Sequence, residues 1–355
     1  MIQSLPQAIA ERWYNEKDFL TMLKGKPYSI GIDIGGTKIL VALVDNAFRV
    51  ISEIKAKTKP EKGDRDFLVC LFESVRHVLK DAAVDRDEVV GIGAGCPGLI
   101  DLKTGRVKTS PNIPFLKNYP LAQRIAALTK LPVVIGNDVQ TGLFGEHQFG
   151  AARGYRHVVG LFMGTGIGGA LILNGQIYSG SSGSAGEVGH LLVDPLGPPC
   201  GCGRRGCLEA LAGRLAISAE VAIAVARQKA PHLDIKNSAD LRGIKSGALA
   251  KAIQAGDRAI EELIRQKARL VGLVMANLVN TLNPEIIILG GGVVEAMPHL
   301  IVREAENAMR EQALPALART VKVTAAKLGD YSIVMGGAKR AVDRFGEKHR
   351  IDHPR

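Results

Sequence analysis

The sequence predicts an α/β protein of two domains, and three observations lead to that prediction. Its 355 residues are more than a single hydrophobic core usually organises. Apolar runs of strand length alternate along the chain with amphipathic stretches of helical period. A pattern of strand, glycine turn and strand occurs twice, at residues 28–46 and 157–175, which indicates two domains of related architecture.

The composition is that of an ordinary globular protein, with 46% hydrophobic and 23% charged residues. No apolar run approaches the twenty or so residues of a membrane span, and residues 1–19 lack the apolar core of a signal peptide. We therefore expect a cytoplasmic protein without a membrane partner. The net charge of +11 favours an anionic small substrate or a solvated surface over nucleic acid, because the basic residues are spread along the chain, apart from residues 339–355.

The first half alternates between strands and helices after an amphipathic helix predicted over residues 1–25. The predicted elements are three strands over residues 28–58, a helix over 66–83, a buried strand over 89–98, a helix over 121–130, a short buried strand over 131–138 and a helix over 139–150.

The second half begins with the second strand, turn and strand and continues into longer helices. The predicted elements are helices over residues 208–228 and 257–282, a buried strand from 284 that runs into three glycines, a helix over 295–312, a strand over 321–330 and a helix over 335–345.

Residues 186–209 crowd three cysteines, a histidine and two glutamates into one glycine-rich segment. Cys200, Cys202 and Cys207 are too close together for ordinary disulfides, and His190 stands ten residues before the first of them. These four residues predict a Cys₃His shell for a structural, tetrahedral Zn²⁺. The alternative is a reduced cysteine cluster in a loop. The other two cysteines, Cys70 and Cys96, are predicted to be buried apolar residues.

The first glycine turn, Gly35–Gly36, carries Asp33, Thr37 and Lys38. Glycines let backbone N–H groups approach phosphate oxygens, and a carboxylate at a strand end can hold a hydrated Mg²⁺. A structural hairpin has the same composition, so this turn alone does not choose between the two interpretations.

The second glycine turn satisfies the pattern GxGxxG through Gly164, Gly166 and Gly169. A dinucleotide site would need a helix that opens at these glycines, whereas the following residues are short, apolar and β-like. We therefore predict another strand, turn and strand, and expect the two turns to close on a polyphosphate from both sides. The glycines at 290–292, between a strand and a helix, allow close approach of a flat or anionic ligand.

Asn137 and Asp138 end a short buried strand and precede a helix. Open α/β sheets place their chemistry at this position, at the carboxyl end of a strand. Asp138 could equally serve as the cap of the helix. From this stretch alone, the catalytic and the capping interpretations of Asp138 are equally open.

Four motifs together resemble the ROK family of repressors, open reading frames and kinases. They are DIGGTK at residues 33–38, GTGIGG at 164–169, GEVGH at 186–190 and CGCGRRGCLE at 200–209. The resemblance covers residues 28–345 and is strongest to the bacterial ATP-dependent glucokinases of that family. It implies an actin-like, ribonuclease H-like fold of two domains, with ATP and sugar in the cleft between them.

The resemblance also implies roles for single residues. Asp138 matches the family's catalytic base, which accepts the proton of the sugar 6-hydroxyl. The residues that match sugar contacts are Asn112, Asn137, Asp138, Glu187, His190 and Glu209. His190 would use one ring nitrogen for zinc and the other for sugar. The residues that match phosphate and adenosine contacts are Asp33, Gly36, Thr37, Lys38, Gly164, Thr165, Gly166, Gly168, Gly290, Gly291 and Gly292.

We accordingly expect residues 26–137 and 330–355 to form a smaller domain, completed by the last helix, and residues 138–329 a larger one. The expected function is a glucokinase of carbohydrate metabolism that uses Mg²⁺ with ATP to make glucose 6-phosphate. A homodimer or a dimer of dimers is expected from the resemblance.

Several alternatives stay open at this point. Fructose, mannose, allose, N-acetylglucosamine or N-acetylmannosamine could be the acceptor, and inorganic polyphosphate could be the donor. A sugar-sensing repressor is disfavoured because residues 1–25 are too few for a helix-turn-helix domain. A zinc-ribbon nucleic-acid binder would leave both glycine turns unexplained.

Overall fold

The computed structural model describes residues 26–58, 60–233, 240–241 and 243–346, which form two compact units. Unit 1 comprises the chain up to Gly145 and from Asp330 onward, and unit 2 comprises Glu146–Gly329. The helix predicted over residues 1–25 and the basic residues beyond Gly346 lie outside the described residues.

Unit 1 is built on a five-stranded sheet of order β3-β2-β1-β4-β7. The strands are Tyr28–Ile34 (β1), Lys38–Asp45 (β2), Val50–Lys57 (β3), Val89–Cys96 (β4) and Val133–Asn137 (β7). The first three strands form an antiparallel meander, and β4 and β7 run parallel to β1. Leu99–Asp101 (β5) and Arg106–Thr109 (β6) form a separate hairpin, which the apolar pattern did not predict.

Three helices follow the strands of unit 1, at Asp64–Asp81 (α1), Leu121–Thr129 (α2) and Asp138–Phe149 (α3). Helix α1 buries Phe67, Leu71, Val75 and Val78, whose spacing of three or four residues places them on one face. These side chains belong to the apolar core that also contains the inward-facing residues of the sheet. Of the two remaining cysteines, Cys96 is buried in this core as predicted, whereas Cys70 is only half-buried.

The border between the units falls inside α3, between Gly145 and Glu146. The sequence analysis predicted this border before Asp138. The packing of Gly145 and Glu146 explains the difference. A Cβ atom at Gly145 would lie 2.0 Å from the carbonyl oxygen of Ser332, so this turn of the helix packs closely within unit 1. The next residue, Glu146, is fully buried and accepts the N–H groups of Lys327 and Leu328 of unit 2, at 2.9 and 2.7 Å.

Unit 2 is built on a second five-stranded sheet, of order β10-β9-β8-β11-β12. Its strands are Val158–Met163 (β8), Ile167–Leu173 (β9), Gln176–Ile177 (β10), Ile286–Gly290 (β11) and Lys322–Ala325 (β12). The first three are antiparallel neighbours and the last two run parallel to β8, as in unit 1. The two sheets therefore share one topology, which confirms the related architecture inferred from the two glycine turns.

The helices of unit 2 are Leu208–Ala212 (α4), Arg214–Ala226 (α5), Ser246–Gln254 (α6), Arg258–Leu282 (α7), Gly292–Ala296 (α8), Pro298–Gln312 (α9) and Pro315–Ala318 (α10). The single helix predicted over residues 208–228 is wrong, because Gly213 adopts an extended conformation, with ψ of 158°. The helix predicted over 295–312 is likewise interrupted, at Met297 directly before Pro298. Helix α6 was not predicted.

The last helix, Tyr331–Phe345 (α11), returns to unit 1 and lies directly on β1 and β4. A Cβ atom at Gly31 would lie 1.9 Å from the carbonyl oxygen of Val334, and one at Gly93 would lie 1.8 Å from that of Gly337. Glycines on both surfaces thus bring the helix backbone against the strands. Within the described ranges, the helices lack the combination of length and apolarity that a membrane crossing demands.

Candidate functional site

Two carboxylates lie at the carboxyl edge of the unit 1 sheet. Asp33 is the penultimate residue of β1, and Asp138 follows the last residue of β7. In the parallel ladders, Asp33 is paired with Gly95 of β4, and Cys96 of β4 is paired with Asn137 of β7. The register therefore brings Asp33 and Asp138 to either side of the end of β4.

The electrostatics of this edge indicate that the two carboxylates interact. The pKa of Asp33 is raised from 3.8 to about 7, first by burial and then by the negative charge of Asp138, while Lys38 opposes the shift. Burial, followed by the charges of Asp138 and Asp33, also raises the pKa of the Cys96 thiol well above its usual range. Carboxylates that destabilise each other's charge in this way are suited to share a cation.

Helix α3 begins directly at Asp138, and Asn137 provides its cap. The Asn137 side-chain oxygen accepts the Gln140 N–H at 3.0 Å, and its amide nitrogen donates to the Gly98 carbonyl at 3.2 Å. Asp138 instead accepts the N–H of its neighbour Val139, at 2.9 Å. The side-chain contact to the Gln140 N–H at the start of α3 therefore comes from Asn137.

The first glycine turn is held in shape by short local hydrogen bonds. The Gly35 N–H donates to the Lys38 carbonyl at 2.9 Å, and the Thr58 hydroxyl donates to the Gly35 carbonyl at 3.3 Å. A Cβ atom at Gly36 would lie 2.9 Å from the Asn112 carbonyl oxygen. This glycine thus packs the turn against the loop that carries Asn112, so the structure brings together a predicted phosphate residue and a predicted sugar residue. Thr37 is exposed at the tip.

The ammonium group of Lys38 is bound by a residue that sequence reasoning missed. Asp330, directly before α11, lies 3.1 Å from the Lys38 Nζ and 3.2 Å from the Lys55 Nζ. Burial alone would raise the pKa of Asp330, but the two ammonium groups outweigh it and hold the pKa below its usual value. The sequence analysis placed Asp330 at the end of the strand predicted over residues 321–330, and its local pattern gave no sign of a partner on β2.

The second glycine turn, Gly164–Gly166, lies on the amino end of α5. The Arg214 N–H donates to the Gly164 carbonyl at 3.2 Å, and the Arg214 guanidinium donates to the Thr165 hydroxyl at 3.3 Å. An added Cβ at Gly164 would meet no atom within 4 Å. Gly168 lies inside β9, opposite Phe162. Arg214 was not predicted, because its position depends on the helix break at Gly213.

Glu209 lies between the second glycine turn and the cysteine cluster. One of its carboxylate oxygens accepts the Ile167 N–H at 3.1 Å, and a Cβ atom at Gly166 would lie 2.0 Å from that oxygen. The other oxygen lies 3.7 Å from the Cys200 Sγ. The structure thus joins a predicted phosphate turn, a predicted sugar residue and a predicted metal ligand within one cluster of contacts.

The four predicted metal ligands come together as a group. The ligand atoms of His190, Cys200, Cys202 and Cys207 all lie within 4.8 Å of one another. The Cys202 and Cys207 sulfurs are 3.7 Å apart, as are the Cys200 sulfur and the His190 Nδ1. A tetrahedral Zn²⁺ with Zn–S bonds of about 2.3 Å separates two sulfur ligands by about 3.8 Å, so these residues fit zinc.

The backbone conformation of the loop that carries the cysteines explains why the loop contains glycines. Gly203 and Gly206 have φ of 87° and 69°, in the left-handed region, and a Cβ atom at Gly206 would lie 1.5 Å from the Asp194 carbonyl oxygen. The Cys200 N–H donates to the Arg204 carbonyl at 2.7 Å and closes the loop. The loop can turn this tightly only with glycine at those positions.

Glu187 and His190 flank a short helical turn that packs on β9. A Cβ atom at Gly189 would lie 1.9 Å from the Ile167 carbonyl oxygen, and the His190 N–H donates to the Glu187 carbonyl at 3.0 Å. Partial burial and then the charge of Glu209 raise the pKa of Glu187, while His190 opposes the shift. Three of the predicted sugar residues, Glu187, His190 and Glu209, are therefore neighbours in unit 2.

The three glycines at the end of β11 differ in what surrounds the position that a Cβ atom would take. A Cβ atom at Gly290 would lie 2.7 Å from the Phe162 ring, and one at Gly291 would lie 2.6 Å from the Met163 carbonyl oxygen. An added Cβ at Gly292 would meet no atom within 4 Å. Packing against β8 therefore accounts for glycine at the first two positions, and at Gly292 the direction of a Cβ atom is open.

Comparisons with known proteins agree with this arrangement. The family model described as "ROK family" matches residues 29–343. A glucokinase of Thermotoga maritima is 32% identical over 89% of this chain and 98% of its own. The structure of a ROK family glucokinase from Streptomyces griseus, in complex with glucose and AMPPNP, is 31% identical over 89% of this chain and 99% of its own, with a TM-score of 0.78.

The same comparisons include repressors. The xylose repressor of Caldicellulosiruptor bescii is 29% identical over 86% of this chain and 76% of its own. Together with the repeated sheet topology, the matches confirm the predicted actin-like fold class. This chain belongs to the ROK family.

Proposed function

We propose that this chain is a sugar kinase that transfers the γ-phosphoryl group of ATP to the 6-hydroxyl of a hexose, with glucose as the preferred acceptor. The observation that carries the proposal is the convergence of Asp138 and Asp33 at the carboxyl edge of the unit 1 sheet. The glucokinase relatives, one of them bound to glucose and AMPPNP, support the same reaction.

Asp138 is the proposed general base. As the sugar O6 attacks the γ-phosphorus, the O6 proton passes to the Asp138 carboxylate, the bond between the γ-phosphorus and the β,γ-bridging oxygen breaks, and ADP leaves. The Val139 N–H fixes one oxygen of this carboxylate at the start of α3. Phosphoryl transfer requires mainly positioning and neutralisation of charge, so one oriented carboxylate beside the nucleophile supplies the acid–base part.

Asp33 and Lys38 are the proposed contacts of unit 1 to the donor. Asp33 would hold the Mg²⁺ of Mg-ATP through water, and its raised pKa fits a carboxylate that gains from a nearby cation. Bound Mg²⁺ supplies neutralisation of the phosphate charge. Lys38, oriented by Asp330, would donate to phosphate oxygens at the glycine turn.

We propose two groups of sugar contacts. In unit 1, Asn112 is exposed beside the glycine turn, and Asn137 keeps one amide hydrogen beyond its bond to Gly98. In unit 2, the Glu187 and Glu209 carboxylates and the His190 ring lie together. Carboxylate acceptors paired with amide and imidazole donors match the alternating needs of a polyhydroxyl ligand.

The Cys₃His cluster is the proposed site of a structural zinc. Cys200, Cys202, Cys207 and the His190 Nδ1 would be its ligands, which leaves the His190 Nε2 for the sugar. The metal would fix the ring of His190 and the position of Cys200 beside Glu209. It would have no part in the transfer itself, because four protein ligands close its coordination shell.

A coupled ADP-release assay with Mg-ATP and a panel of hexoses and N-acetylhexosamines tests this function. Saturable turnover that depends on glucose, and that Asp138→Asn lowers by about a hundredfold or more, is the expected result. A parallel assay of glucose 6-phosphate formation from inorganic polyphosphate identifies the donor. Absence of turnover with every sugar and donor would contradict the proposal.

A sugar-sensing role is the second candidate, because the xylose repressors match the chain over most of its length. Calorimetric titration with the same sugars distinguishes the two. A sensor binds one of the sugars without turnover, whereas a kinase binds and phosphorylates it.

A further inference from the structure

Unit 2 contains a cavity of about 510 Å³ along its edge strand β12. The first residues of β11 and β12, Ile286 and Lys322, both line it, so it starts at the amino ends of the parallel strands. The candidate phosphate and adenosine turns lie at the opposite ends. Gly290, at the carboxyl end of β11, is about 13 Å away along the strand. The cavity continues along β12 to Lys327, two residues beyond the end of that strand, and none of the residues predicted to contact phosphate or adenosine lines it.

The lining of this cavity is strongly basic. It includes Arg310, Arg319, Lys322 and Lys327, and its only acidic member is Glu306. The Arg310 Nε donates to the Glu306 carboxylate at 3.0 Å, so these two charges neutralise each other. Arg310 also donates to the Ala318 and Val321 carbonyls, so these two hydrogen-bond acceptors of the cavity wall already have a donor.

The other three cations have no carboxylate within ion-pair distance in the described part of the chain. The carboxylates of two nearby glutamates already accept hydrogen bonds from backbone N–H groups. Glu285 accepts the Arg156 and His157 N–H groups, at 2.5 and 2.8 Å, and Glu146 accepts the N–H groups of Lys327 and Leu328. The cavity thus keeps three positive charges, on side chains that are all exposed to solvent.

Neutral donors add to these charges. The Lys322 Nζ donates to the Tyr155 Oη at 3.0 Å, which leaves the phenol hydrogen to donate into the cavity. The N–H groups of Lys322 and Ala326 donate to the carbonyls of Glu285 and Leu289, at 3.0 and 2.8 Å. By the alternation of a β-ladder, the Val323 N–H points away from β11, toward the open edge that lines the cavity.

We propose that this cavity is a binding site for a multiply charged, phosphate-bearing anion of metabolite size. Guanidinium and ammonium groups bind phosphate oxygens through strong charge-assisted hydrogen bonds, and three cations without acidic partners require more than one negative charge to balance them. The volume lies in the range of small-molecule sites. The proposal does not depend on the proposed kinase reaction. A phosphorylated sugar and a short inorganic polyphosphate share this chemistry.

Isothermal titration calorimetry of the full chain at about 150 mM salt tests the proposal, with tripolyphosphate and glucose 6-phosphate as separate probes. The test variant is Arg319→Ala with Lys322→Ala. The matched control is Lys229→Ala with Lys251→Ala, which removes the same charge from exposed positions of unit 2 outside the cavity. All four side chains are exposed, so we expect both variants to stay folded. Thermal unfolding of each variant checks this.

We expect saturable binding of one probe, weakened about tenfold or more in the test variant and less than about twofold in the control. Tighter binding of tripolyphosphate would identify a polyphosphate chain as the ligand, and tighter binding of glucose 6-phosphate a phosphorylated sugar. Unsaturable binding, or equal weakening in both variants, would overturn the proposal. So would loss of binding in Lys38→Ala, since it would place the probe at the glycine turn of unit 1.

Discussion

Asp330 binds the ammonium group of Lys38 through both carboxylate oxygens, at 3.1 and 3.2 Å. The same carboxylate binds Lys55 at 3.2 Å, so one acidic residue before α11 orients two basic residues of the meander. Asp330 and Lys38 are nearly the length of the chain apart in sequence. The proposed phosphate contact of Lys38 is therefore positioned by the helix that returns to unit 1.

Replacement of Asp330 by Asn should raise the KM for ATP by about threefold and leave kcat within about twofold, because Lys38 loses its orientation but keeps its charge. The fold should change little in stability, by less than about 1 kcal/mol, since these side chains are well exposed. Lys38→Ala should raise the same KM by about tenfold or more. A lower KM in Asp330→Asn would show instead that Asp330 competes with phosphate for Lys38.

Replacement of Asp138 by Asn should lower kcat by about a hundredfold or more, because the amide cannot accept the O6 proton. The side chain keeps its shape and can still accept the Val139 N–H, so the fold and most of the affinity for glucose should remain. Steady-state kinetics and calorimetric glucose titration measure the two effects separately. Near-normal turnover would exclude Asp138 as the base.

Asp33 should make stability fall as pH rises in Mg²⁺-free buffer. Its pKa is 3.8 when unperturbed and about 7 in the folded chain. Between those values the folded chain keeps a proton that the unfolded chain has lost, so the contribution of Asp33 to stability is largest below pH 3.8 and decreases up to pH 7.

The Asp33→Asn variant has no such group. Its free energy of unfolding relative to the unsubstituted chain should therefore rise by on the order of 3 kcal/mol between pH 4 and pH 8. Urea unfolding at the two pH values measures this difference. An offset that stays constant with pH would show that Asp33 titrates normally.

Much of this arrangement could be predicted from local sequence. The strand, glycine turn and strand around Gly164 was distinguished from a dinucleotide fold because the residues after it are β-like, and β9 confirms it. The spacing of the three cysteines and of His190 identified all four members of the cluster that the structure brings together. Both patterns depend on residues close to one another in the chain.

The features that escaped prediction depend on partners far away in sequence. The break at Gly213 allows the N–H groups of Arg214 and Leu215 to reach the carbonyls of the second glycine turn, a contact that no helical period reveals. Asp330 ended the strand predicted over residues 321–330, and nothing local to it indicated its lysine partners on β2 and β3. Gly290 and Gly291 matched a nucleotide turn, yet their small size is already required by β8.

Replacement of Cys202 by Ser should release the proposed zinc and weaken glucose binding by about 10- to 100-fold, because the ring of His190 and the surroundings of Glu209 lose their support. Cys70→Ser is the matched control, since Cys70 lies outside the cluster. Metal analysis of the purified proteins and calorimetric titration with glucose check both effects. Unchanged glucose affinity in a zinc-free variant would reduce the cluster to a distant structural element.

Gly164 and Gly292 offer a test of where a nucleotide approaches the backbone. An added methyl group meets no atom within 4 Å at either position, so Gly164→Ala and Gly292→Ala should each change stability by less than about 1 kcal/mol. If ATP lies against these turns, the same methyl group should raise the KM for ATP by about tenfold. Gly247→Ala is the control, because it is equally open but lies on α6. An unchanged KM in the two variants would place the nucleotide elsewhere.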